Sequence, residues 1–248
     1  MKLRKTTSAV ELWRGESALQ PGAEIMMIAS GLWNPSNNRK TGAMIQTWIL
    51  PASEKSPWQH AKSGNDVMVC GLCKHRRGGG ENADCYESPW QAAGQIWRAW
   101  QAGRIPRLAS PWNNILSGRR VRLGSYGDPC AVPMDILEKI TTQSMGWTGY
   151  THAWRRPSAH PARHWLMASV DTDRETDQAR RRGWKTYRVK YAGDDLPAGD
   201  GAVECDHATN GTQCADCMRC DAHNGHIWQL AHGSLARRHE MRREAATA

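Results

Sequence analysis

At 248 residues and 40% hydrophobic content the chain is long enough to bury a full core in one α/β domain, and its longest apolar run, AEIMMIASGLW, is too short to span a bilayer. Lys and Arg number 33 against 24 Asp and Glu, a formal charge of +9 that favours anionic partners such as nucleic acid, a nucleotide or an anionic cofactor. The opening MKLRKTTSAVELWRGE is basic but lacks the apolar stretch and cleavage site of a secretory signal, so a soluble, cytoplasmic protein with no membrane partner is expected.

Taken in chain order, apolar and β-branched stretches predict strands at residues 23–30 and 43–50. SPWQAAGQIWRAWQAGR then predicts a helix. Ser88 stands as its cap, Pro89 in its first turn, Trp90, Ala93, Trp97 and Trp100 on one stripe, and Gly103 at its end. A strand at 121–125 follows, then a helix with Met134, Leu137 and Ile140 on one face that stops at Gly146. Further strands are expected at 148–152, 165–170 and 186–191. Before the last of them DRETDQARRRG opens on acids and closes on Arg180–Arg182, as the helix dipole favours. Residues 192–204 read as a loop, and residues 235–248 as a basic tail beyond a single domain of residues 1–234. Strands alternating with helices predict parallel βαβ units in an open sheet or a partial β/α barrel, with ligands gathered beyond the carboxyl ends of the strands.

Eight cysteines in a reducing compartment read as metal ligands, not as a disulfide framework. Cys70, Cys73 and Cys85 lie in one loop, CGLCKHRRGGGENADCY, with His75 close by. A four-iron cluster held by three thiolates keeps one iron open for chemistry; a zinc site completed by His75 is the alternative. Cys205, Cys214, Cys217 and Cys220 supply four thiolates at tight spacing, enough to close an iron–sulfur cluster or a structural zinc. Cys130 stands apart and reads as a small buried hydrophobe.

The expected strand ends present Ser125, Tyr126 and Asp128, then Tyr150, Thr151 and His152, then Ser169, Asp171 and Thr172, and finally His232. Together they form a candidate pocket with acid–base capacity, in which Asp128, His152 and Asp171 are the candidate catalytic groups. Asp171 reads equally as the cap of the helix after it, and Asp128 as turn chemistry before Pro129.

The ordered set NNRKTGAMIQTWIL, CGLCKHR with CYES, RLGSYGDP, GYTHAW, LMASVDT, the late cysteine group and LAHG spans roughly residues 30–234. It resembles a family carried by phages, plasmids and bacteria, sometimes called gene-product-eighty-eight-like, whose C-x2-C…GCY motif has glycine where this chain has Asp84. More distantly the set is similar to radical S-adenosylmethionine enzymes. That similarity implies a β/α barrel, a cluster on Cys70, Cys73 and Cys85, Tyr86 in the aromatic position beside it, and Gly127 and Asp128 near the amino group of bound S-adenosylmethionine. The spacing here is C-x2-C-x11-C where those enzymes have C-x3-C-x2-C, and Asp128 stands where they usually have Glu. The expected function is an iron–sulfur metalloenzyme of a mobile element acting on a nucleotide, nucleic acid or peptide. The alternative is a zinc-stabilised nucleic-acid-binding protein that uses the net positive charge without catalysis.

Overall fold

The computed structural model describes residues 8–79, 83, 85–108, 112–191, 194 and 201–231; His232 and the tail at 235–248 lie outside them. The described strands form one nine-stranded, mostly parallel sheet in the order β1-β2-β3-β4-β5-β6-β7-β9-β8. They are β1 (Ala9–Glu16), β2 (Glu24–Ser30), β3 (Ile45–Pro51), β4 (Arg120–Tyr126) and β5 (Gly146–Thr151). β6 (Met167–Val170), β7 (Thr186–Lys190), β8 (Ala202–Glu204) and β9 (His226–Leu230) complete the set. All six stretches expected from periodicity are strands.

The first three strands are antiparallel, contrary to the all-parallel expectation. Residues 17–23 between β1 and β2 are too few for a crossover helix, so the chain turns back beside itself. From β3 onward every pairing is parallel. β3 is buried along its whole length, which its run of apolar residues anticipates for a strand covered on both faces.

The helices are α1 (Pro57–Lys62), α2 (Val67–Cys70), α3 (Ala92–Gln101), α4 (Met134–Gln143), α5 (Asp173–Arg181), α6 (Asp206–Asn210) and α7 (Cys214–Cys217), joined by a 3-10 turn at Pro157–His164. Strands β3 to β7 are neighbours in sequence order, so each crossover steps the same way and lays its helix on the same face. There Ile136, Leu137, Ile140, Ala162 and Ala179 pack in one core with Val121, Leu123, Ala168 and Val170. On the opposite face Met167, Tyr187 and Ile227 pack instead against Cys205 and Cys220. That face is where the chemistry gathers.

Two expected boundaries move. The Trp-rich helix begins at Ala92, because the amide of Gln91 bonds the Ser88 carbonyl and closes a turn there, leaving Trp90 exposed against Trp58. Within the stretch read as a loop, Ala202–Glu204 is a strand, because its main chain pairs in parallel with β9. No helix among the described residues is long and apolar enough to cross a membrane.

Candidate metal and catalytic site

The carboxyl ends of β4 to β7 and β9 surround a cavity of about 320 Å3. Strand alternation builds much of its wall: Arg122, Tyr150, Ser169, Tyr187 and Val189 line it, while Val121, Leu123, Ala168 and Val170 pack in the core beneath the helices; Tyr126 joins the wall at the end of β4. Gly127 closes the turn after β4 at φ +80°, and a Cβ there would meet the Ile49 carbonyl oxygen at 2.7 Å, so only glycine fits.

Cys70, Cys73 and Cys85 all line this cavity. Cys70 ends α2, and the Asp128 amide bonds the Val69 carbonyl at 2.7 Å, which ties the cysteine loop to the exit of β4. The loop is folded around buried Asp66, whose carboxylate pairs with Arg76 and accepts the Gly78 amide at 2.7 Å. Arg77 reaches the Cys85 carbonyl at 2.9 Å and draws the far cysteine in. Burial, with the neighbouring thiols adding to it, pushes Cys73 up to about 12 and Cys70 well above its ordinary value. Such thiols ionise when a cation takes the proton's place.

His75, His152 and Asp171 line the same cavity. The Asp171 carboxylate receives His75 Nε2 at 2.9 Å on one oxygen and Lys74 Nζ at 3.0 Å on the other. Burial works against its charge, but the bond from His75 and the charges of His75, His152 and Lys74 hold it below the usual carboxylate range. His152 follows β5, its ring 5.5 Å from that of His75, and burial lowers its basicity against the pull of Asp171. Asp128 braces this arrangement, accepting the Thr151 hydroxyl at 2.7 Å, the His152 amide at 2.8 Å and the Cys130 amide at 2.9 Å. The cap of α5 is Thr172, which accepts the Glu175 amide, so Asp171 is left to face the cavity.

Cys205, Cys214, Cys217 and Cys220 surround a separate space of about 20 Å3. Backbone bonds hold them to the segment before β3, to β9 and to β5: Cys214 to the Lys40 carbonyl, Cys205 to the Trp228 carbonyl and Gly149 to the Cys220 carbonyl. Burial pushes Cys220 up to about 12, with a bond to Tyr150 opposing. Lys40, Tyr150 and Tyr187 line both spaces, so one layer of side chains separates the two cysteine groups. Arg122 lies 4.8 Å over the Tyr150 ring in this layer, and Lys40 bonds Gln229 at 3.0 Å.

Among the described residues, His75, His152 and Asp171 are the group of metal-capable side chains whose ligand atoms all lie within 4.8 Å of one another. No three cysteines of either group meet that spacing.

The structure thus brings Cys70, Cys73 and Cys85 together with Asp128, His152 and Asp171, places Gly127 in the wall, and sets Tyr86 at the mouth, 62% exposed. Cys130 is buried in the core, as a small hydrophobe would be. Asp66, Lys40, Arg122 and Tyr187 were not singled out from the sequence, although Arg120 and Arg122 alternating with Val121 and Leu123 in β4 mark a strand with one polar face. No family model matches the chain, and no curated protein or solved structure matches it significantly. The resemblance rests on the ordered motifs.

Proposed function

We propose that the protein is an iron–sulfur metalloenzyme. In it Cys70, Cys73 and Cys85 hold a four-iron cluster in the large cavity, and Cys205, Cys214, Cys217 and Cys220 hold a closed one below. The observation that carries this reading is the convergence of three cysteines on a cavity that His75, His152 and Asp171 also line.

The sequential order of β3 to β7, every crossover on one face, supports a sheet that curls as a partial β/α barrel around the site. A cluster with one open iron supplies one-electron chemistry to whatever occupies the cavity. The protein's own groups do the rest. Lys40 and Arg122 make the floor cationic, which suits a nucleotide, another anionic substrate, or the carboxylate of S-adenosylmethionine. Asp128 fixes the His152 main chain, while His152 and Asp171 hold or exchange protons at the reacting end. The cavity has the size of an ordinary small-molecule site.

Anaerobic purification followed by assay of iron, acid-labile sulfide and zinc tests the reading. A brown protein with about eight irons and matching sulfide per chain is expected. A colourless zinc protein whose binding to DNA or RNA weakens steeply with salt would replace it with the non-catalytic alternative.

A further inference from the structure

We propose that His75, His152 and Asp171 form a separate binding site for one divalent first-row transition ion in the same cavity as the three cysteines. This goes beyond the iron–sulfur reading and does not rest on it, since none of the three ligands is a thiol.

Spacing comes first. The three ligand atoms lie within 4.8 Å of one another, and an ion with bonds of about 2.1 Å draws such ligands together with small side-chain movements. Their origins come second. His75 belongs to the cysteine loop, His152 follows β5 and Asp171 follows β6, so residues 96 apart in the chain meet at the exits of adjacent parallel strands.

The surroundings already have the character of a second shell. Lys74 holds the outer oxygen of Asp171, which leaves the other oxygen to a single bond with the ion. Glu175 accepts the Asp171 amide at 2.8 Å and is itself paired with Arg155 at 2.7 Å. Asp128 holds the His152 main chain at 2.8 Å. Such partners orient ligands and set metal affinity.

The donor set decides the class of ion. Two imidazoles and one carboxylate suit Fe(II), Mn(II), Co(II) or Zn(II), and disfavour Mg2+ and Ca2+, which want oxygen, and Cu(I), which wants sulfur. Three protein ligands leave coordination positions free, and the cavity of about 320 Å3 gives a ligand access to them. In the absence of the ion, His75 donates to Asp171 in its place.

The test titrates Co(II) anaerobically into the full chain after its iron and sulfide have been quantified. Bound cobalt per chain and the visible spectrum are then measured. About one Co(II) per chain beyond the metal at the cysteines is expected, with weak ligand-field bands and no sulfur-to-cobalt charge transfer. His75→Ala and Asp171→Asn should abolish that uptake, and Cys70→Ser should retain it. Circular dichroism shows that each variant is folded, and the isosteric Asp171→Asn decides the matter should His75→Ala perturb the loop. Uptake unchanged in both variants, or no cobalt beyond the cysteine sites, would overturn the proposal. A chain without iron or sulfide that still takes up cobalt through His75 and Asp171 would overturn the iron–sulfur reading and leave this site standing.

Discussion

Asp128 is the residue on which the cavity wall turns. Its buried carboxylate accepts from Thr151, Cys130 and His152, and so joins the end of β4 to the end of β5. Removing it leaves three donors, two of them buried, without their acceptor, so Asp128→Ala should lower stability by about 3 kcal/mol in urea unfolding, with Asp128→Asn costing less. His60 is a second such case, away from the site. Buried against Ser53, its ring is held below the ordinary histidine value by burial and then by Lys55, against the opposing charge of Asp66. The unfolded chain takes up a proton near pH 6.5 and the folded chain only at lower pH. The contribution of His60 is therefore full above about pH 6.5 and is lost as pH falls through the folded value. Between about pH 7.5 and 5.5 the native chain should lose more urea stability than His60→Asn. Equal losses would show that His60 titrates as freely in the folded state as in the unfolded one.

At the scale of elements, two short segments aim the functional groups. Thr172 caps α5 and thereby leaves Asp171 outside the helix, facing His75. Thr172→Ala should cost about 1 kcal/mol and weaken the alignment of Asp171, read as reduced cobalt uptake in the titration described above. Asp66 organises the loop that carries the first three cysteines, through Arg76 and the Gly78 amide. Asp66→Ala should release that loop while leaving the other cysteine group on its own backbone anchors. Iron should then fall from about eight to about four per chain. Loss of all iron would mean that the two groups assemble as one unit.

For the whole molecule, tryptophan replaces phenylalanine as the large aromatic of the core: there are 13 Trp and no Phe. Trp112 and Trp154 are fully buried and spend their indole N–H groups on the carbonyls of Leu12 and Ser169, so they carry order as well as volume. The six strands and three helices visible in the sequence follow from local signals, apolar period and helix ends, and these survived folding with boundaries shifted by a few residues. β1 was missed because its apolar residues run together with charges, one of which, Glu11, is buried beside Arg14 and Trp100. β8 and β9 were missed because they are short and flank the late cysteine segment, where turn residues mask short pairings. By itself the sequence determined the class of the protein: an α/β chain with two cysteine groups and polar residues at strand ends, because period, caps and cysteine spacing are local. Tertiary structure alone decided that the first strands are antiparallel, that one layer of Lys40, Arg122, Tyr150 and Tyr187 stands between the cysteine groups, and that His75 meets Asp171. Those are contacts between segments far apart in the chain. They depend on which face each strand turns to its neighbours, and on the order in which the strands pair.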